Sequence, residues 1–293
     1  MDQMPFDGLT ALLEEVSAAA PAAAALYDYQ TGQSWNFDGG RWFHAASTIK
    51  IAVLACTYEV LRERGLTPSE PLQVRNRFFS VVDGSPFETL PSRDTDPEVY
   101  AAIGHSMSVG DLARHMITVS SNLATNVLVD FVGVPAARRV LAEANISGID
   151  LVRGVQDDRA FDAGISNRVT ADGLVQLLRA IVDGRFGREG QTDEMIGILS
   201  AQAFNSGIPA GLPPAVRATA RVAHKTGEIS TATHDAGVVF PPPPGRPPYV
   251  LAVLTGAGSD TVDRFEPIAR ISARAFEALR SAQEPTSSLS KKH

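Results

Sequence analysis

Hydrophobic and polar positions along this chain fall into two periods. Near the N-terminus Leu9, Leu12, Leu13 and Val16 recur at helical spacing, which predicts an amphipathic helix over 6–19. The apolar stretch 23–29 reads as a buried strand. A Thr31-Gly32 turn follows, and 33–37 alternates as a second strand, so the two form a hairpin. A long apolar run after Ser47 predicts a helix to about Arg64, with Gly65 as its stop. Between 67 and 205 the period is mostly helical. Ser108 caps a helix carrying Leu112, Met116 and Val119, further helices cover 122–132 and 135–145, Thr170 opens one that runs to about Val182, and 192–202 gives another. Strand character returns in 221–225, which ends at Thr226-Gly227, and in 235–240 and 249–254. The last two are separated by the proline-rich loop 241–248, which no central strand could contain. A closing helix over 263–282 and a frayed polar tail over 284–293 complete the chain.

Strands of one sheet split by a long helical stretch imply an α+β fold with two lobes. Residues 1–66 plus 206–293 are expected to form an antiparallel sheet flanked by the terminal helices. Residues 67–205 are expected to form an inserted all-α lobe. A cleft between such lobes is a preferred place for a small-molecule site.

Composition narrows the partners. The 293 residues carry a formal net charge of −7, which argues against a nucleic-acid surface. No apolar run reaches the ~18–20 residues of a membrane span. The single cysteine, Cys56, excludes an internal disulfide and a cysteine-rich metal site, and falls in the apolar helix as a buried thiol. The alanine-rich stretch 17–25 resembles a signal-peptide core, but acidic residues precede it and a positive n-region is missing. The expectation is a monomer acting on a small molecule without metal or cofactor. It is either cytoplasmic as written or exported with a leader removed.

Three polar stretches carry the candidate chemistry. Ser47 and Lys50 are one helical turn apart and face the same way. A serine hydroxyl needs a neighbour to take its proton, and a lysine can do so only if desolvation or another cation lowers its pKa. The polar knot Ser120-Ser121-Asn122 lies between two helices, where a junction can aim Ser120 and Asn122 into a cleft. Lys225-Thr226-Gly227 ends a strand with a cation, a hydroxyl and a residue that permits close backbone approach.

In this order, S-x-x-K, S-x-N and K-T-G resemble the signature of class A β-lactamases and penicillin-binding proteins. The likeness extends over about residues 5–282. It implies a serine hydrolase that forms an acyl-enzyme on Ser47, most specifically a β-lactamase of class A type with a part in β-lactam catabolism and antibiotic resistance. The alternatives are a D-Ala-D-Ala peptidase or esterase of the same fold, and a slowly deacylating penicillin-binding protein or sensor. Lys50 would help deprotonate Ser47, with Lys225 lowering its pKa. Ser120 would relay a proton to the leaving nitrogen, and Asn122 would hold the substrate amide. Lys225 and Thr226, beside Gly227, would meet the substrate carboxylate. The N–H groups of Ser47 and Glu228 would form the oxyanion hole.

The chain departs from the family pattern in several places. Ser121 stands where the family usually has an aspartate, one that is chiefly structural. The deacylating Glu-x-x-Leu-Asn loop has no counterpart. The corresponding stretch 151–167 offers only Asp157 and Asp158, either as water-positioning carboxylates or as loop salt bridges with Arg153 or Arg159. Glu228 replaces a small residue, and would discourage anionic substrates unless it points away. No arginine adjoins Asp235 or Ala236, leaving His234 as either a second carboxylate reader or a strand-edge histidine bonded to Asp235. Phe78 and Phe79 either line the cleft or pack beneath their loop.

Overall fold

The computed structural model describes residues 6–242, 246–256 and 263–281. The chain opens with α1 (Asp7–Ala19), β1 (Ala22–Asp28) and β2 (Ser34–Phe37), as the periodicity predicts. After the short β3 (Phe43–His44), a single 3-10 turn over Ala46–Thr48 leads into α2 (Ile49–Glu63). Ser47 therefore sits on a tighter turn before the α-helix proper. Almost all of α2 is buried, which explains its continuous apolar run.

The segment expected to be all-helical holds five helices longer than five residues and several small strands. β4 (Pro71–Gln73), β5 (Phe78–Phe79) and β6 (Pro86–Phe87) precede α3 (Pro97–Ala101) and β7 (Ser106–Ser108). Then come α4 (Val109–Thr118), α5 (Asn122–Val132) and α6 (Val134–Glu143). β8 (Ile149–Asp150), α7 (Asp158–Asp162) and β9 (Arg168–Val169) form the loop that borders the cleft. α8 (Ala171–Val182) and α9 (Gln191–Ser200) follow it. Pairs of two or three residues leave no readable period, which is why the sequence shows only the helices. The predicted caps are present: the hydroxyls of Ser108 and Thr170 accept from the N–H groups of Asp111 and Gly173.

Two short helices, α10 (Ile208–Gly211) and α11 (Pro214–Arg217), lead back to the sheet through β10 (Arg221–Ile229), β11 (Ala232–Phe240) and β12 (Tyr249–Gly256). α12 (Glu266–Ser281) closes the described chain. Residues 243–245 of the proline-rich loop, residue 282 and the tail 284–293 lie outside the described residues.

The main sheet has the order β10-β11-β12-β1-β2, antiparallel throughout. β10 is longer than the pattern suggests. It runs on through Lys225, Thr226 and Gly227 to Ile229, because its register with β11 continues from Arg221↔Phe240 to Ile229↔Ala232. The Lys-Thr-Gly stretch is thus an edge strand with fixed side-chain directions. On one face of the sheet Leu9 and Leu13 of α1 pack with Ile268, Ile271 and Phe276 of α12 over Leu251 and Val253. On the other, Leu174, Leu177 and Leu178 of α8 share a core with Val250, Ala252 and the buried residues of α2. α2 therefore carries Ser47 at the boundary between sheet and helices. None of the described helices is long and apolar enough to cross a membrane.

Candidate active site

The turn that bears Ser47 is held from both sides. Ala45 N–H donates to Asn167 O at 2.9 Å, and Ala46 N–H donates to His44 Nδ1 at 3.0 Å. Thr48 returns both its N–H and its hydroxyl to Ala45 O. These bonds hold Ala46 at φ 46°, a left-handed conformation that alanine adopts only when its surroundings impose it. On the sheet side Gly227 lies so close that a Cβ there would be 3.0 Å from the backbone N of both Ser47 and Thr48. A side chain at this contact would push strand and turn apart.

Lys50 is fully buried and spends its three donors on Ser120 O (2.7 Å), Ser120 Oγ (3.1 Å) and Asn122 Oδ1 (2.9 Å). Ser120 Oγ lies 3.1 Å from Ser47 Oγ, so the Ser120 hydroxyl joins Ser47 to Lys50. Ser120 reaches this place because it adopts φ 63° between α4 and α5. Ser121, where the family pattern has aspartate, is the buried cap of α5 and accepts from Ala124 N–H. The other amide arm of Asn122 donates to Arg93 O at 2.8 Å.

Burial, and then the charge of Lys225, hold the Lys50 pKa well below its usual range, with Asp94 opposing them. Lys225 is itself fully buried. It donates to Thr226 O at 2.8 Å, and burial lowers its pKa to about 7 against the pull of Asp235. The structure therefore brings together Ser47, Lys50, Ser120, Asn122 and Lys225.

The remaining sequence candidates fall differently. Asp157 lines the cleft, but its carboxylate is occupied: it accepts from Ser80 Oγ (2.9 Å), Val81 N–H (3.1 Å) and Ala160 N–H (3.1 Å). Asp158 pairs with Arg93, at 2.8 Å and 2.9 Å, rather than with Arg153 or Arg159. Glu228 pairs with Arg264 at 3.0 Å, which balances its charge. His234 is neither a carboxylate reader nor bonded to Asp235. It is completely buried, with Nε2 2.9 Å from His44 O and Nδ1 3.2 Å from Thr255 N, and burial lowers its pKa to about 4. Asp235 instead lies 2.9 Å from His224 Nδ1. Phe78 is packed beneath its hairpin while Phe79 is exposed, and neither is on the cleft wall.

Sequence reasoning missed two residues that shape the site. Asp94 accepts the N–H groups of Asn122 and Leu123 at 2.8 Å and 2.9 Å, fixing the start of α5. The side chain of Gln156, at φ 58°, ties Leu90 N–H to Arg93 O and so anchors the cleft loop. Both act on partners far away in the chain, and neither leaves a local pattern.

The geometry can be set beside known proteins. A model of the beta-lactamase enzyme family matches residues 8–279. The chain belongs to this family. A β-lactamase of Streptomyces fradiae is 26% identical over 258 residues, covering 85% of this chain and 78% of that protein. Among solved structures, a β-lactamase from Sphaerobacter thermophilus superposes with a TM-score of 0.78 at 22% identity, covering 96% of this chain and 99% of the other. PBP-A superposes with a TM-score of 0.76 at 25% identity, covering 94% and 97%. A PBP-A mutant in its acyl-enzyme complex with penicillin G gives 0.75 at 25%, covering 93% and 96%. The α+β fold of this β-lactamase-family hydrolase is thus shared along nearly its whole length.

Proposed function

We propose that this protein hydrolyses β-lactam amides through an acyl-enzyme on Ser47. The observation that carries the reading is the unbroken contact from Ser47 Oγ through Ser120 Oγ to a buried, pKa-lowered Lys50. With Lys50 neutral, its lone pair takes the Ser120 proton while Ser120 takes that of Ser47, leaving an oxygen able to attack the amide carbon. The proton returns through Ser120 to the leaving nitrogen. Lys225 and the Thr226 hydroxyl, which has no partner among the described residues, suit a substrate carboxylate. The N–H groups of Ser47 and Glu228 are the proposed oxyanion donors, a reading supported by the close approach of Gly227, next to Glu228, to the Ser47 turn.

A second reading concerns release of the acyl group. Each carboxylate that lines the cleft (Asp157, Asp158 and Glu228) has protein donors of its own, so none is free to activate water. This favours a long-lived acyl-enzyme, the behaviour of a penicillin-binding protein. Incubation with benzylpenicillin followed by intact-mass measurement over time separates the two. A transient adduct with steady hydrolysis supports the β-lactamase, and an adduct that persists supports slow deacylation. Ser47→Ala is expected to abolish the adduct, and hydrolysis that survives this substitution sinks the mechanism.

A further inference from the structure

The charged groups around the cleft are not all held in ion pairs. Asp158 is matched by Arg93, Glu228 by Arg264, and Asp157 by three neutral donors. Arg153 feels the charges of Asp157 and Asp158 but donates a hydrogen bond to neither carboxylate. It lines the cleft, is about 95% buried, and forms no ion pair among the described residues. Its Nε donates to Ile165 O at 2.7 Å and its Nη1 to Gly154 O at 2.9 Å, while Nη2 has no protein acceptor. The side chain that braces its backbone is neutral: Asn167 Oδ1 accepts from the N–H groups of Val152 and Arg153, and its Nδ2 donates to Arg153 O. A guanidinium cannot lose its proton, so the Nη2 of this buried side chain remains a charged donor from which a substrate anion can accept.

A second donor points to the same place. His44 lines the cleft, and its Nδ1 accepts from Ala46 N–H, which puts the ring proton on Nε2. Nε2 has no partner among the described residues. Burial and then the Arg153 charge lower its pKa, so Arg153 is near enough to be felt and the ring stays a neutral donor. This wall lies on the side of the Ser47 turn that Asn167 braces, whereas Lys225 and Thr226 belong to β10, which braces the other.

We propose that Arg153, with His44 beside it, forms a second anion subsite that takes a carboxylate on the acyl side of the substrate. The preferred substrates are then dianionic amides, with one carboxylate at Lys225 and Thr226 and the other at Arg153. The cleft, about 470 Å³, holds a side chain of that kind. The inference rests on the acyl-enzyme reading above for its substrate, but not for its anion.

The test compares benzylpenicillin with its α-carboxybenzyl counterpart, measuring the second-order rate of Ser47 acylation in the full chain. A charge-assisted bidentate contact predicts a preference of about tenfold or more for the dianion. Arg153→Met should remove this preference, and Arg153→Lys should keep part of it. In parallel, phenylmalonate and phenylacetate are titrated calorimetrically into Ser47→Ala protein, where phenylmalonate should bind about tenfold tighter. If neither penicillin acylates the protein but phenylmalonate binds in an Arg153-dependent way, the acyl-enzyme reading fails and the subsite stands. If both penicillins react at equal rates and phenylmalonate binds no tighter, the subsite is wrong and the acyl-enzyme reading stands. Should Arg153→Met not fold, the comparison in the unaltered chain decides alone.

Discussion

In the proposed mechanism two buried lysines set the chemistry of the site, and the charge of Lys225 acts on Lys50. A lysine can take a proton from a serine at ordinary pH only if its cationic form is destabilised. Desolvation does most of this for Lys50, and the Lys225 charge adds to it. Removing Lys225 must therefore raise the Lys50 pKa. In the proposed mechanism acylation requires neutral Lys50, so its rate should rise with pH through that pKa. In Lys225→Ala the rising limb should move to higher pH, in addition to any loss of carboxylate binding. The pH profile of the acylation rate checks this. An unmoved or lowered limb would show that Lys50 is not the base. The same lysines link to stability. Lys225 has a folded pKa of about 7, below the value of an unfolded lysine. Between those values the unfolded chain holds the extra proton, so the Lys225 contribution makes stability rise with pH across that window.

At the scale of elements, the site depends on how closely β10 approaches the turn before α2. A Cβ on residue 227 would meet backbone nitrogens rather than a side chain that can swing aside. Gly227→Ala should separate strand and turn by a few tenths of an ångström and slow acylation by roughly 10²-fold, the scale of losing one oxyanion donor. The far-UV spectrum should stay unchanged, and stopped-flow acylation reads the effect. Full activity in this variant would mean the contact is dispensable. Elements of this kind were legible in the sequence wherever a period could express itself. The helices with buried stripes, the caps Ser108 and Thr170, and the five strands of the main sheet can all be read from spacing. The motif residues Ser47, Lys50, Ser120, Asn122 and Lys225 were legible as a set, because their order restricts what they can be. The two-residue strands were not, since two residues have no period. Nor were Asp94 and Gln156, whose partners are backbone groups about 30 and 65 residues away and impose no constraint on nearby side chains. The Arg153 subsite was hidden for a further reason. An arginine in a loop looks solvated until the structure shows both that it is buried and that its hydrogen bonds go to carbonyls rather than to a carboxylate.

At the scale of the whole molecule, Asp157, which the sequence offers either as a water-positioning carboxylate or as a loop salt bridge, sits where a structural tie would. Its carboxylate gathers the hairpin β5–β6, through Ser80 Oγ and Val81 N–H, and the first turn of α7, through Ala160 N–H. These segments are 77 and 3 residues distant from it, so one buried side chain fixes one wall of the cleft to the far loop. If Asp157 were a water-activating base, Asp157→Asn would slow deacylation while leaving acylation and stability nearly intact. As a tie it behaves otherwise. The asparagine can still accept at one oxygen, but its NH₂ group opposes a backbone or hydroxyl donor and leaves that donor unsatisfied. An unpaired buried donor costs about 1–3 kcal/mol. Asp157→Asn is therefore expected to lower unfolding stability by about that amount, to slow acylation and deacylation together, and to show greater proteolytic sensitivity at 80–84 and 157–162. Urea unfolding and single-turnover kinetics on the same preparation distinguish the cases. A selective loss of deacylation at unchanged stability would restore Asp157 to the catalytic machinery and would require its carboxylate to release at least one donor when substrate binds.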